Sequence, residues 1–167
     1  PTIESITVMF LDKANEELSA RKTKIDKCGM SVHELLSLAS VVQNESLFEV
    51  DIPKIAGVFY NRIDSGMPLQ SDITVLYAIQ EKRVEVYYSD LEVDSPYNTY
   101  KYRGLPPGPI RLTRPDLLDA VLNAPRTDYL YMCANPDFSG THVFSSSYAK
   151  HSAVAREYQR ELNRRKL

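Results

Sequence analysis

The sequence predicts an α+β fold in which helices dominate. Three observations carry that expectation. Apolar residues recur at helical spacing through most of the chain, as in Ile55, Val58, Phe59 and Ile63. A Ser-x-x-Glu box at Ser31–Glu34 stands directly before an apolar run, the signature of a helix start. Only one late pair of short segments, Tyr129–Cys133 and Thr141–Phe144, reads as strands joined by a hairpin loop at Asn135–Gly140.

Residues 3–22 read as an amphipathic helix, with Ile3, Ile6, Phe10, Ala14, Glu17 and Leu18 at helical spacing, followed by a polar turn over Lys24–Gly29. The helix opened by Ser31 should run to about Ser46. Asp51 can cap a third helix with Pro53 in its first turn, where proline is tolerated, and Gly66 with Pro68 ends it. A short helix over Ile73–Gln80 follows. From Arg83 the character changes: Val84, Val86 and Tyr88 alternate. Then Pro96, Gly104, Pro106, Pro107, Gly108 and Pro109 punctuate a segment of loop and short-strand type. Helix resumes over Pro115–Asn123, with Thr113 or Arg114 before it, and a long helix from about Ser147 closes the chain. We expect residues 1–30 to be an N-terminal helical extension and 31–167 the main domain.

Composition narrows the function classes. The 167 residues are 43% hydrophobic and 25% charged, an ordinary globular balance. The formal charge is −2, from 20 Lys+Arg and 22 Asp+Glu. That balance argues against a nucleic-acid partner held through its phosphates. The basic end, Arg160 and Arg164–Lys166, suits a helix C-terminus. Cys28 and Cys133 show no metal-ligand spacing, and whether they pair is open. No metal or cofactor is expected. No stretch reaches ~18 consecutive apolar residues, so no membrane span is expected. The chain opens at Pro1 without methionine, which reads as a piece of a longer protein.

One acid stands out on the helix after Ser31. At about 100° per residue, Leu35 falls near ~0°, Ala39 ~40°, Val41 ~240°, Leu38 ~300° and Val42 ~340°. Glu45 lands near ~280°, inside this apolar arc, while Gln43 sits near ~80° on the flank and Asn44 near ~180° outside. Burial disfavours the ionised form, and so does the negative end of the helix dipole, which suits a general acid at neutral pH. The alternative is an acid that turns to solvent or pairs with a base.

Six blocks then follow in order: Leu38–Glu45, Ile55–Arg62, Gly66–Asp72, Asp94–Tyr100, Gly104–Ile110 and Asp128–Tyr131. Together, from about Leu35 to near the C-terminus, they resemble the catalytic domain of the YceG-like endolytic murein transglycosylases. The resemblance implies a lysozyme-like, mostly helical core. It makes Glu45 the catalytic acid, with Glu45–Ser46 similar to the Glu-Ser pair of soluble lytic transglycosylases and goose-type lysozyme. It implies cleavage between N-acetylmuramic acid and N-acetylglucosamine, closing a 1,6-anhydro sugar without water. It also implies peptidoglycan strands and cell-wall synthases as partners, and a location on the outer face of the cytoplasmic membrane, anchored by a preceding transmembrane helix. The sequence departs from the family at Gln43, often Glu, at Ile73, commonly Pro, and at Ala124–Pro125, where Asn-Pro is usual.

Ser46, Gln70, Asp72, Tyr97, Asn98 and Tyr100 are the expected glycan contacts. Amides and hydroxyls match sugar hydroxyls, tyrosine faces stack on pyranose rings, and five tyrosines fall in the sixteen residues Tyr87–Tyr102. Asp72 reads equally as a helix cap, and several of the tyrosines as loop packing. Asn61–Arg62 would tie the third helix to a carboxylate. His142 and His151 lack a nucleophile at a recognised spacing, and no G-x-S-x-G is present. Two rival functions stay open: a hydrolytic muramidase with Asp72 or Asp94 as base, and a glycan-binding scaffold without turnover.

Overall fold

The computed structural model describes residues 2–45, 49–81, 83 and 85–165. Its elements are α1 (Ile3–Ala20), α2 (Lys22–Cys28), α3 (Val32–Glu45), α4 (Ile52–Asp64), α5 (Asp72–Ile79), a 3₁₀ turn (Tyr88–Glu92), α6 (Pro115–Leu122), β1 (Tyr131–Ala134), β2 (His142–Ser145) and α7 (Tyr148–Arg165). The class is α+β.

The capping box sets the register of α3. The amide of Glu34 donates to Ser31 Oγ at 3.2 Å, and the amide of Ser31 donates to Glu34 Oε2 at 2.8 Å. Two orphan amides at the helix start are thereby satisfied. The helix packs on both α4 and α6, which also touch each other. Leu35, Leu38, Ala39, Val41 and Val42 are fully buried against Ile55, Ala56 and Phe59 of α4 and Leu117, Leu118 and Val121 of α6. Burial extends to Ser37 and Ser40, so α3 is enclosed well beyond its apolar arc. The proline-rich segment closes that side: the Ile110 amide donates to Ser40 Oγ at 3.0 Å, and His33 Nε2 lies 2.6 Å from the Pro107 carbonyl.

Several expectations need correction. The polar turn at Lys24–Gly29 is mostly the helix α2: Ile25 is buried in the core, and Gly29 ends the helix in the left-handed region at φ 77°. The first helix forms with Thr2 as its cap, yet none of its residues is buried; Ile3, Met9 and Phe10 stay exposed, and Leu18 alone of the expected stripe joins the core rim. Asp51 does not cap α4 with its side chain. Its carboxylate instead accepts from the His142 amide at 2.7 Å and lies 3.1 Å from His142 Nδ1, pinning β2 to the helical core. No strand forms around Val86 and Tyr88; Tyr88 opens the 3₁₀ turn, beside which Arg83 pairs with Glu81 at 2.6 Å and Asp90 at 2.7 Å. Val84 lies outside the described residues.

The two strands pair antiparallel with Tyr131 opposite Ser145 and Ala134 opposite His142. One side of the hairpin meets the core through Met132 and Phe144. On the other, α7 packs through the stacked pairs Tyr131–His151 and Phe138–Tyr158. Both cysteines are free and half-buried. Among the described residues no helix is long and apolar enough to cross a membrane.

Candidate active site

Glu45 is the last residue of α3, half-buried at the point where α3, α4 and the start of α5 converge with the 94–102 loop. Its Oε1 accepts a hydrogen bond from the hydroxyl of Ser71, the residue preceding α5. Burial is the largest influence on the carboxyl and pushes its pKa up from 4.5 to about 7; the Ser71 hydrogen bond opposes that rise, the negative charge of Asp72 adds to it, and Arg62 opposes it. The arc position on α3 thus ends in a carboxylic acid that holds its proton near neutrality.

Arg62 comes from α4 and is buried. Among the described residues it binds no carboxylate, contrary to expectation. Its Nε donates to the Leu130 carbonyl at 2.7 Å and its Nη1 to the Leu69 carbonyl at 2.6 Å, while the guanidinium lies 5.8 Å from the Tyr131 ring. Asn61 binds two further carbonyls, Thr127 at 2.9 Å and Tyr129 at 2.8 Å. This pair therefore ties α4 to the segment leading into β1 and to the segment before α5, and it leaves the Arg62 charge near Glu45. Gly57 permits the close approach: a Cβ there would lie 3.2 Å from the Pro125 carbonyl oxygen.

The expected glycan contacts separate into groups. Asp72 and Tyr100 come together: the phenol donates to Asp72 Oδ1 at 2.5 Å, Asp72 is exposed, and Tyr100 is half-buried. Burial and that carboxylate both push the Tyr100 phenol well above its ordinary range. Asp72 is the first residue of α5 and Ser71 holds the cap position, so Asp72 is not the cap. Gln70 is exposed beside them at φ 51°, its amide donating to the Thr99 carbonyl at 3.1 Å. Tyr97 is half-buried and packs on Tyr77 with ring centres 4.8 Å apart.

Asn98 belongs elsewhere. It is 0% exposed, its amide donates to the carbonyls of Leu91 at 2.8 Å and Val93 at 2.9 Å, and its oxygen accepts from the Tyr100 amide at 3.0 Å. It folds the loop and has no surface to offer a sugar. Ser46 lies outside the described residues. Asp94 binds the Tyr102 hydroxyl at 2.6 Å and Lys101 at 3.2 Å, which hold its carboxyl below the ordinary range. Gln43 is occupied with the segment before α6, accepting from the Arg114 amide at 2.9 Å.

Ser71 was missed by sequence reasoning, together with its supports Thr74 and Thr99. The pattern Ser71-Asp72-Ile73-Thr74 at a helix start suggests a cap and nothing more. Only the fold brings Ser71 to a carboxylate 26 positions earlier. Among the described residues no group of three His, Cys, Asp or Glu side chains is placed to hold a metal ion.

Three comparisons bear on this site. The profile of the YceG-like family matches residues 1–157. An endolytic murein transglycosylase of Bacillus subtilis is 41% identical over 157 residues, covering 94% of this chain and 43% of its own length. One from Streptococcus pneumoniae is 38% identical over 139 residues, 80% of this chain and 25% of its own. The chain therefore spans less than half the length of these curated relatives. The crystal structure of a YceG-like protein from Listeria monocytogenes superposes with a TM-score of 0.85 at 40% identity, over 92% of this chain and 50% of that one.

Proposed function

The chain belongs to the YceG-like family, and from that premise we propose that it carries the catalytic site of a lytic transglycosylase acting on peptidoglycan strands. One observation carries the reading: a half-buried carboxyl at the end of α3 whose pKa is pushed up to about 7.

Such a group serves both halves of the reaction. Protonated Glu45 gives its proton to the oxygen bridging N-acetylmuramic acid and N-acetylglucosamine, and the C1–O bond breaks with its electron pair going to that oxygen. The carboxylate left behind takes the proton of the muramyl C6 hydroxyl as that oxygen bonds to C1. A 1,6-anhydro ring closes and no water is consumed. The nucleophile is part of the substrate, so its high effective concentration replaces a second catalytic carboxylate. A pKa near the working pH suits a group that must give and then take a proton.

In this reading Gln70, Asp72, Tyr97 and Tyr100 would hold the glycan, Asp72 and Tyr100 as one hydrogen-bonded unit. Ser46 joins them in this reading. The bacterial relatives' names support peptidoglycan as the substrate. Cell-wall synthases as partners, and an extracytoplasmic, membrane-anchored position supplied by a segment outside this chain, belong to the same proposal.

One observation favours a second reading, hydrolysis. Asp72 is a second carboxylate whose charge acts on Glu45, as a muramidase base would. Mass spectrometry of digested glycan strands separates the two. Anhydro-muramyl ends support transglycosylation, and reducing ends with incorporated water overturn it.

A further inference from the structure

Ser71 occupies the N-cap position of α5, yet its hydroxyl makes no cap hydrogen bond. A serine there ordinarily satisfies a helix amide. Here the hydroxyl turns to Glu45 Oε1 instead. The rest of the residue is clamped. It is 2% exposed, its amide donates to Thr99 Oγ1 at 3.0 Å, and its carbonyl accepts from Thr74 Oγ1 at 2.7 Å. The two threonine hydroxyls meet at 2.7 Å, and the Gln70 amide donates to the Thr99 carbonyl at 3.1 Å.

These bonds assign every proton in the cluster. Thr74 donates to the Ser71 carbonyl, so Thr99 donates to Thr74 and accepts from the Ser71 amide. The Ser71 hydroxyl is free to donate to Glu45 in either protonation state of the acid: to the carboxylate when ionised, and to the carbonyl oxygen when protonated.

We propose that Ser71 is a positioning residue that reserves Oε1 of Glu45, so that Oε2 alone carries the proton given to the glycosidic oxygen and taken from the C6 hydroxyl. The inference rests on the proposed role of Glu45. A single carboxyl that acts twice needs the same oxygen in the same place for both steps, because displacement of about 1 Å costs on the order of 100-fold in rate. Rotation of the carboxyl about its last bond is otherwise soft. Ser71, held at its amide and carbonyl by Thr99 and Thr74, blocks that rotation from outside the substrate.

The test uses purified protein and isolated glycan strands, with release of anhydro-muramyl product measured across pH. Ser71→Ala should lower kcat roughly 10- to 100-fold with KM within about twofold of the unsubstituted protein. It should also move the alkaline limb of kcat upward by about one pH unit, because a donor to the ionised acid is gone. Ser71→Thr, which keeps a hydroxyl, should recover most of kcat and restore the limb. Thr99→Val leaves the serine in place and should give an intermediate kcat. An unchanged kcat and limb in Ser71→Ala overturns the proposal, as does a loss confined to KM. Glu45→Gln, run alongside, separates the two claims: if it retains activity, the role of Glu45 itself fails. If it is inactive while Ser71→Ala behaves as the unsubstituted protein, only the positioning role fails.

Discussion

Replacing Glu45 by glutamine should make the protein more stable, and only above a particular pH. Burial raises the pKa of this carboxyl from 4.5 to about 7 in the folded chain. Below pH 4.5 the acid is protonated in folded and unfolded states alike, so its ionisation has no effect on stability. Between 4.5 and 7 the unfolded chain releases the proton more readily, and stability falls as pH rises. Above 7 both states are ionised and the full cost is present. A tenfold change in proton affinity is about 1.4 kcal/mol, which sets an upper bound of roughly 3.5 kcal/mol for the rise from 4.5 to about 7. The carboxyl is only half-buried by solvent exposure, so roughly 1–2 kcal/mol is the expected size. Glutamine carries no charge and still offers an oxygen to the Ser71 hydroxyl. Thermal unfolding of both proteins at pH 5 and pH 8 measures the effect. Near this chain length 1 kcal/mol moves Tm by about 2–4 °C, so Glu45→Gln should gain several degrees at pH 8 and much less at pH 5. A gain independent of pH, or a loss at pH 8, would refute the argument that burial holds the proton on this acid.

Two further substitutions separate scaffold from site. Asn98→Ala leaves the Leu91 and Val93 carbonyls and the Tyr100 amide without their partner. It should cost about 1–3 kcal/mol in urea unfolding; unchanged stability with a raised KM would instead put Asn98 against the sugar. Tyr100→Phe removes the donor to Asp72 at the edge of the site. It should lower turnover of glycan strands about tenfold while Tm moves by no more than a few degrees, and wild-type turnover would remove Tyr100 and Asp72 from the glycan-binding set.

The legible parts of the site were those set by local pattern. Ser31 and Glu34 fix where α3 starts, and counting along the helix from there turns Glu45 toward the core without any long-range knowledge. Side-chain chemistry alone was less informative. The amide of Asn98 matches a sugar hydroxyl and a backbone carbonyl equally well, and the fold uses it for the second. Asp51 reads as a cap because local spacing allows it; its partner is His142, 91 positions later. The stripe of α1 predicts a buried face, but among the described residues no other element lies over most of it. Ser71 shows the limit most clearly. Its role depends on a loop, through Thr99, and on a helix end, through Glu45, both distant in sequence.

In the proposed reaction Glu45 acts alone, as acid and then base, in cutting a glycan strand and closing its end. Mass analysis of isolated strands digested in ¹⁸O-labelled water, with the unsubstituted protein and with Glu45→Gln, tests it directly. The first should give anhydro-muramyl ends free of label, and the second no new ends. Labelled reducing ends, or undiminished product from Glu45→Gln, would contradict it.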